Sequence, residues 1–415
     1  MWMLSARDVA DRLGVKVETV YAYVSRGQLT RQLSADGRSS LFSEDDVERL
    51  ARRGRPRRAT RPAAIDFPIH TGVTSLSGHR LAYRGRDARR LARTCTFEQV
   101  AELLWTGTLP EEAPRWDLRV GAPAGVGVTA PVDVIRQSVV LGAARDPMKA
   151  DLSQDAVVGT ARTIVACAVG ALSPAGDGRV PRLTLPAGGV AHRGTVAGRL
   201  WTALSPARPR AGLLAAVNAA LVLLADHELA TSTLAARVAA STRADPYAVV
   251  LSGLGALAGP LHGSASGPVW HVFNDAAGPS GAAPAVGRAL DTYGRHPGFG
   301  HAVYTDVDPR AVELLDLLHA AAGGSRRMTV VDAVLSTVTQ RTSAFPNVDF
   351  ALAALAYVAG MGDDAGEVLF TVARLAGWVA HALEEYQEPA LRFRARAVHR
   401  SPVQVDLDAG QALER

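Results

Sequence analysis

The chain has 415 residues, 48% of them apolar and 20% charged, and its net charge is +5. This composition predicts a soluble globular enzyme or regulator with two or three domains and a sizeable core. Cys95 and Cys167 are too few for a disulfide framework, and the most apolar stretches, residues 213–225 and 248–258, are too short to span a bilayer. The N-terminus carries charged residues where a signal peptide would be apolar. We therefore expect a cytoplasmic protein without a membrane segment.

The excess positive charge lies in the first 62 residues, which hold 13 Lys and Arg against 8 Asp and Glu, whereas the rest of the chain holds 32 of each. Residues 4–15 predict an amphipathic helix, and a second helix is predicted to begin at Val17. A polar stretch around Gly37 and Arg38 follows. This order resembles the winged helix-turn-helix of MerR-type regulators over residues 1–50, with the wing near Gly37 and Arg38.

In a motif of this kind the second helix enters the major groove of DNA. The resemblance therefore implies that four side chains at the start of the second helix and within it face DNA, and that Arg38 contacts phosphate. The four are Lys16, Thr19, Tyr21 and Tyr23. The alternative is a protein contact, because short helix-turn-helix units also bind proteins and a single copy has little affinity for DNA.

Residues 51–64 are rich in Arg and Pro and are predicted to form a solvated linker, which could add phosphate contacts beside the helix-turn-helix. From about residue 63 the sequence changes to apolar, Ala-rich helices separated by Pro and Gly, which predicts a mainly helical fold. His227 and Glu228 are adjacent, but the zinc-protease pattern needs a second His where Thr231 stands. No metal site is therefore expected.

Three short polar segments interrupt the apolar sequence between residues 259 and 349. The first, Gly-Pro-Leu-His-Gly at 259–263, ends an apolar helix and leaves His262 at that helix end. The second presents His301 in a Gly-rich turn, and a new helix is predicted to start with Asp308 as the N-cap and Arg310 in the first turn. His301 and Arg310 are therefore expected to be neighbours.

The third segment, Pro-Asn-Val-Asp at 346–349, predicts Asn347 as the N-cap of a helix and Asp349 in its first turn. A carboxylate beside the free N–H groups of a helix start should remain ionised at neutral pH. Two histidines, an arginine and this carboxylate suit the removal of a proton next to a carbonyl. The carboxylate acts as the base in such chemistry, and an acid stabilises the enol oxygen as it forms.

In order and spacing, these segments resemble those of the citrate synthase family: Gly-Pro-Leu-His-Gly, then Gly-Phe-Gly-His-x-Val-Tyr with Asp-Pro-Arg, then Pro-Asn-Val-Asp. Residues 73–85, which end in Tyr-Arg-Gly, and residues 96–110 are similar to the opening segments of the same family. The resemblance implies an all-α, two-domain synthase that works as a homodimer and follows a small winged helix-turn-helix. The implied boundaries are 1–50 for the helix-turn-helix, 51–64 for the linker, 65–263 with 361–415 for the large domain, and 264–360 for the small domain.

The resemblance also implies catalytic roles. Asp349 would remove a methyl proton from acetyl-CoA, and His262 would hold the developing enol oxygen. His301 would donate to the oxaloacetate carbonyl as it is attacked. Hydrolysis of the thioester would then release citrate and CoA, with acetyl-CoA as a co-substrate and neither a metal nor a prosthetic cofactor.

The remaining site residues would bind oxaloacetate or support the histidines. His227, Arg310 and Arg374 would contact oxaloacetate, and Ser232 would hydrogen-bond His262. Arg392, in a tail similar to the Arg-Pro-Arg tail of the family, would reach the active site of the partner subunit. Arginine suits this task because its planar guanidinium binds carboxylates in a bidentate manner. His381, in contrast, is most simply a histidine of a helix face or of the core.

Several positions depart from the family pattern. Ala230 stands where the family usually has Asn, and Ser266 stands where an Asn follows the first histidine motif. Ala302 and Thr305 occupy positions where basic residues often help to bind the coenzyme phosphates.

Two other functions remain open. With propionyl-CoA in place of acetyl-CoA, the same residues would make 2-methylcitrate, and one extra methylene in a pocket leaves no mark in the sequence. Alternatively, the chain is a DNA-binding regulator whose synthase fold senses a CoA ester or a dicarboxylate. The acid–base residues favour catalysis, whereas the helix-turn-helix favours regulation.

Overall fold

The computed structural model describes residues 3–13, 15–33, 40–43, 46–47, 50, 69–118, 130–172, 180–259 and 262–394. The predicted wing residues Gly37 and Arg38 and the predicted linker at 51–64 lie outside these ranges. The chain forms two compact units, Met1–His70 and Thr71–Arg415. Each unit has its own hydrophobic core.

The first unit combines two short helices with a small antiparallel sheet. Its elements are β1 (Met3–Ser5), α1 (Ala6–Leu13), α2 (Val17–Ser25), β2 (Arg31–Leu33) and β3 (Ser40–Ser43), and the strand order is β1-β3-β2. The first helix was predicted to include Leu4, but Leu4 pairs with Phe42 in the sheet. Because Ser5 accepts the N–H of Asp8 at 3.3 Å, the helix begins only after this serine.

The second unit is mainly helical. It also contains a short three-stranded antiparallel sheet and a separate two-stranded antiparallel ribbon. The strands are β4 (Thr74–Ser77), β5 (Arg80–Tyr83), β6 (Arg86–Asp87), β7 (Arg182–Thr184) and β8 (Val190–Arg193). The helices up to the first polar segment are α3 (Ala88–Thr94), α4 (Phe97–Thr106), α5 (Pro131–Arg145), α6 (Gln154–Leu172), α7 (Val196–Leu204), α8 (Ala211–Leu224), α9 (Thr231–Ser241) and α10 (Pro246–Leu257). Those after it are α11 (Ser266–Ala276), α12 (Ala282–Tyr293), α13 (Pro309–Ala322), α14 (Arg326–Thr339), α15 (Val348–Ala359) and α16 (Ala365–Glu385).

Helix α16 is the central element of the second unit, because its apolar residues are buried along its whole length and it packs against α4, α6, α8, α9 and α10. Two glycines make this packing possible. A Cβ at Gly253 would lie 2.6 Å from the ring of Trp378, and a Cβ at Gly377 would lie 2.4 Å from Oδ1 of Asp226. A larger residue at Gly253 would push α10 and α16 apart, and one at Gly377 would push away Ala225 and Asp226, which follow α8.

Helix α6 is, by length and composition, apolar enough to cross a membrane. More than half of its apolar window, 56%, is buried inside the unit, where the helix packs against α5 and α16. This burial is typical of a core helix in a soluble protein.

Candidate active site

A cavity of about 860 Å³ in the second unit contains most of the predicted site residues. Six of them line it, namely His227, His262, His301, Arg310, Asp349 and Arg374. Ser232 is fully buried, and its Oγ is 2.8 Å from Nε2 of His262. Arg392 is not among the lining residues.

The second and third polar segments are joined through their backbones. Phe299 and Pro346 form an antiparallel bridge, and the side-chain amide of Asn347 donates to the carbonyl of Gly300 at 2.8 Å. Gly298 has a φ of 78°, and a Cβ there would lie 2.8 Å from a valine side chain. Glycine is required at position 298 both for this backbone conformation and for the close approach to the valine side chain. The second and third polar segments can therefore meet at the cavity.

Asp308 organises the start of α13, as the sequence predicted. Its Oδ1 accepts the N–H of Arg310 at 3.0 Å, which makes it the N-cap. It also accepts from Nε and Nη2 of Arg310 at 3.0 and 2.8 Å, and from the N–H of Val348 at 2.9 Å. Burial opposes the charge of Arg310, but Asp308 outweighs it and raises the pKa of the guanidinium. One acid therefore fixes this guanidinium and the starts of two helices.

His301 is held in a single tautomer. Its Nδ1 accepts the backbone N–H groups of Val303 at 3.0 Å and Tyr304 at 3.3 Å, so the proton of the neutral ring is on Nε2. Burial, followed by the charge of Arg310, lowers the pKa of His301 and favours the neutral ring. Nε2 lies 3.3 Å from Nη2 of Arg310, which confirms that the two residues are neighbours. Because both atoms are donors, they can share one acceptor placed between them.

His262 follows the end of α10, where the N–H of Gly263 donates to the carbonyl of Leu257 at 3.0 Å. Burial, followed by the charge of Arg374, lowers the pKa of His262 to about 4. The imidazole is therefore neutral at physiological pH. Since its Nε2 is in contact with Ser232, the nitrogen left to interact with a ligand is Nδ1.

Asp349 occupies the first turn of α15, and Asn347 is the N-cap, as predicted: its Oδ1 accepts from the N–H of Asp349 at 3.0 Å and of Phe350 at 3.3 Å. The pKa of Asp349, however, is raised to about 6. Burial is the main cause and outweighs the opposing charges of Arg310 and Arg295. Part of the carboxyl surface is exposed to the cavity, yet the surrounding protein shields most of the group from solvent. Asp349 is still mostly ionised at pH 7, but burial rather than the helix start dominates its pKa.

Arg374 projects from α16 and is 1% exposed. Its Nε donates to the carbonyl of Leu224 at 2.9 Å, and its guanidinium carbon lies 4.8 Å from the centroid of the Phe370 ring. Its Nη1 is buried and has no hydrogen-bond partner among the described residues. A buried guanidinium nitrogen without an acceptor is costly to a protein and is readily used by an anionic ligand.

Sequence reasoning did not assign Tyr304 to the site, although this residue belongs to the second motif. Its hydroxyl lies 3.0 Å from Nε2 of His227. Its ring lies 4.9 Å from that of His301 and 5.5 Å from the guanidinium carbon of Arg310, measured to ring centroids. The position three residues after His301 in the motif was the available signal.

Arg392 is bound within its own chain. Its Nε and Nη2 donate to Glu385 at 2.7 and 2.6 Å. The structure therefore does not bring Arg392 together with the other predicted residues of the same chain. His381 is fully buried, and its Nε2 lies 3.2 Å from Oδ2 of Asp226, which confirms that it is a histidine of the core.

Two of the positions that depart from the family pattern line the cavity. Ala230 and Ala302 line it, and Ala230 begins α9 without a side-chain cap. The hydroxyl of Ser266 is buried and has no hydrogen-bond partner within the described part of the chain. Arg295, which the sequence did not single out, is a basic residue that lines the cavity.

In the first unit, the residues predicted to face DNA do not share one helix face. Val20 is fully buried and fixes α2 on the core. Lys16 and Tyr21 are exposed, whereas Tyr23 packs partly against the core. Residues two apart on a helix are rotated by about 200°, so Tyr21 lies opposite Thr19 and Tyr23. The hydroxyl of Tyr21 is 3.4 Å from that of a serine in β3.

Comparison with known proteins identifies two families in the chain. Residues 68–396 match the model of the citrate synthase C-terminal domain, and residues 3–55 match a helix-turn-helix domain. The chain belongs to the citrate synthase family. The predicted all-α fold and the predicted N-terminal helix-turn-helix are thereby confirmed, and the protein is a transferase of the citrate synthase type.

Relatives in the citrate synthase family cover most of the second unit. The citrate synthase of Haloferax volcanii is 33% identical over 352 residues, which cover 76% of this chain and 89% of that protein. The 2-methylcitrate synthase 1 of Corynebacterium glutamicum is 29% identical over 338 residues, covering 75% and 87%. The crystal structure of citrate synthase from Thermotoga maritima has 25% identity and a TM-score of 0.65, and covers 82% of this chain and 96% of that one.

Proposed function

We propose that the cavity condenses acetyl-CoA with oxaloacetate and hydrolyses the resulting thioester, which yields citrate and CoA. The observation that carries this proposal is that one cavity brings together a carboxylate with a pKa of about 6, two neutral histidines and a buried guanidinium nitrogen that has no partner among the described residues. These groups supply a base, two hydrogen-bond donors and an anion site, and the reaction needs no prosthetic group.

In the first step, the Asp349 carboxylate takes a proton from the methyl group of acetyl-CoA, and the C–H electrons move toward the thioester oxygen. Nδ1–H of neutral His262 donates to this oxygen and stabilises the enol as it forms. Ser232 supports this role, because a hydroxyl that donates to Nε2 leaves the ring proton on Nδ1.

In the second step, the enol carbon attacks the carbonyl carbon of oxaloacetate, whose oxygen gains negative charge. Nε2–H of His301 and Nη2–H of Arg310 share one acceptor position, and we propose that the carbonyl oxygen occupies it. Water then cleaves the thioester bond and releases CoA. Arg374 and His227 would bind oxaloacetate, and Arg392 would complete the carboxylate clamp of the partner subunit in a homodimer.

Thiol release from acetyl-CoA by the purified protein, with and without oxaloacetate, tests the proposal. Asp349→Ala should lose several orders of magnitude in turnover while oxaloacetate binding, measured by calorimetry, is largely kept. Asp316→Ala, which removes an exposed acid from α13, is the matched control and should keep normal turnover. Near-normal turnover of Asp349→Ala would contradict the assignment of the base.

Propionyl-CoA is the alternative acyl donor, and the named 2-methylcitrate synthase relative supports it. The same residues would act, because the extra methylene changes only the fit of the acyl group. The ratio of kcat/KM for propionyl-CoA to that for acetyl-CoA decides between the two donors. A ratio above one would replace citrate by 2-methylcitrate as the proposed product.

For the first unit we propose DNA binding, which the helix-turn-helix match supports. Lys16 and Tyr21, which are exposed, remain proposed contacts together with Arg38, whereas Thr19 and Tyr23 lie on the opposite side of α2 from Tyr21. A homodimer would present two such units to paired half-sites. Gel retardation over a salt series tests this, and absence of binding even at low salt would exclude DNA as the partner. DNA binding without thiol release from either ester would instead favour the regulator.

We further propose that the protein works in the cytoplasm and that its synthase region consists of a large domain, 65–263 with 361–415, and a small domain, 264–360. Helices α11, α12 and α14, which all fall in the proposed small domain, pack on one another, which supports this division. Arg374 lies in the large domain and Arg310 in the small one, so substrate would be bound by both domains.

A further inference from the structure

The three histidines that line the cavity share one property. Burial is the main cause that lowers the pKa of each, so all three favour the neutral form. A neutral imidazole has one N–H and one acceptor nitrogen, and its partner determines which is which. Backbone N–H groups determine the tautomer of His301, and Ser232 contacts one nitrogen of His262. The corresponding partner of His227 is Tyr304.

The contact between His227 and Tyr304 is well defined. The hydroxyl oxygen is 3.0 Å from Nε2, and the two ring centroids are 5.5 Å apart. His227 and Tyr304 are 7% and 4% exposed, so water has little access to this contact. Burial also raises the pKa of Tyr304 to about 12, which keeps the hydroxyl protonated.

The direction of this hydrogen bond follows from the available acceptors. No other hydrogen-bond partner of the Tyr304 hydroxyl occurs among the described residues, so Nε2 of His227 is the acceptor for its proton. The ring proton of His227 is then on Nδ1. The opposite tautomer would leave a buried hydroxyl proton without an acceptor, which is unfavourable.

We propose that Tyr304 is a positioning residue that fixes the tautomer of His227, so that Nδ1–H is available to donate to an oxygen of the oxo-dicarboxylate. This inference rests on the proposed function for the identity of the ligand. The tautomer of His227 is a property of the free protein, so that part of the inference is independent of the proposed function.

The position of Tyr304 suits this role beyond the single hydrogen bond. Its ring packs beside His301 and under the guanidinium of Arg310, so the hydroxyl is carried by a ring that cannot rotate away freely. Phenylalanine would keep these ring contacts and remove only the hydroxyl. Tyr304→Phe therefore separates the hydrogen bond from the packing.

The first arm of the test measures the tautomer directly, in protein labelled with ¹⁵N-histidine. Long-range ¹H–¹⁵N correlations distinguish the two neutral tautomers, and His227→Gln identifies the signal of His227. We expect one tautomer, with the proton on Nδ1, in the wild type and a mixture of both in Tyr304→Phe. Tyr386→Phe is the matched control, because it removes another phenol hydrogen bond, part-buried and 2.7 Å long to a backbone carbonyl, outside the cavity.

The second arm measures function. Tyr304→Phe should raise the KM for oxaloacetate about tenfold, the effect of losing one well-oriented hydrogen bond, and should change kcat and the KM for acyl-CoA by less than threefold. Tyr386→Phe should leave all three unchanged. A purely structural role of the hydroxyl would instead lower the melting temperature of both variants and leave the KM for oxaloacetate unaltered.

The two arms keep this inference separate from the proposed function. A single His227 tautomer in Tyr304→Phe, or oxaloacetate kinetics equal to those of Tyr386→Phe, would overturn it. If the wild type released no thiol from either ester, the proposed function would fail. The tautomer measurement and the calorimetric affinity for oxaloacetate would then still decide the role of Tyr304.

Discussion

The Asp349 carboxylate must be ionised to accept a proton, and its pKa is about 6. Activity should therefore fall about tenfold per pH unit below this value and reach a plateau above it. His262, with a pKa of about 4, is neutral over the same pH range, so its titration does not change the pH profile of the activity there. A profile of kcat from pH 4.5 to 8 at saturating substrate checks this. A rate that stays constant down to pH 4.5 would contradict Asp349 as the base.

The raised pKa of Asp349 also has a consequence for stability. A carboxyl group whose pKa is about 6 in the folded protein, against an ordinary value of 3.8, destabilises the fold when it is ionised. Asp349→Asn should therefore raise the free energy of unfolding by about 1–3 kcal/mol at pH 8. The gain should shrink as the pH falls through 6 and vanish below 3.8, where the carboxyl is protonated in both states. Urea unfolding at pH 8 and at pH 5 checks the sign.

Ser232 acts on His262 through one hydroxyl group, so its removal should affect catalysis more than binding. Ser232→Ala should lower kcat by about tenfold to a hundredfold and leave the KM for oxaloacetate within about twofold. Ser241→Ala is the control, because it removes another buried hydroxyl from the same helix, bonded only to a backbone carbonyl at 2.7 Å. Equal loss of kcat in both variants would indicate a general effect on the helix.

At the residue scale, the sequence motifs identified site residues wherever the local backbone determines the position of the side chain. His262, His301 and Asp349 were identifiable because Gly, Pro and N-cap residues determine the local structure around them. The pKa of Asp349 was not, since it depends on burial by residues distant in sequence. Tyr304 was missed for the same reason, because its partner His227 lies on a different part of the chain.

At the element scale, one face of α16 packs so closely that the volume of a side chain there affects stability more than its polarity. Gly377→Ala would place a Cβ 2.4 Å from Oδ1 of Asp226 and 2.5 Å from the carbonyl oxygen of Ala225. Because the second of these atoms belongs to the backbone, the clash cannot be relieved by a rotamer change. We expect a loss of about 2–3 kcal/mol in the free energy of unfolding.

Gly255→Ala is the control for this substitution, since Gly255 is also a helical glycine, but among the described residues no heavy atom beyond its chain neighbours and its own helix backbone lies within 4 Å of the added Cβ. It should be neutral or stabilise the protein by up to about 1 kcal/mol, because alanine has the higher helix propensity. Thermal unfolding of the two variants checks the difference. Equal melting temperatures would mean that α16 can shift away from Asp226.

Helix starts were predicted well where a side-chain cap is present and less well where a strand competes. Asp308 and Asn347 cap α13 and α15 as their sequences indicate. Leu4, in contrast, satisfies the helical pattern of the first unit but pairs with Phe42 in β1 and β3. Sequence periodicity reports only on neighbouring residues. The choice between helix and sheet at Leu4 depends instead on a strand nearly forty residues away.

At the scale of the whole molecule, the two units have separate cores. Val9, Val20 and Phe42 belong to the core of the first unit, and the core of the second begins at Val73. The change of composition near residue 63 already indicated such a division. The proposed homodimer could not be derived in the same way, because an interface leaves no pattern in a single sequence that distinguishes it from a core.

Separate cores predict that the second unit can function alone. A fragment of residues 71–415 should fold, release thiol with kcat/KM within about twofold of the full chain, and no longer retard DNA, because each unit buries its own apolar surface. Circular dichroism confirms folding before activity is compared. A folded fragment with strongly reduced kcat at unchanged KM would mean that the helix-turn-helix unit contributes to turnover. The protein would then couple DNA binding to catalysis rather than carry the two activities side by side.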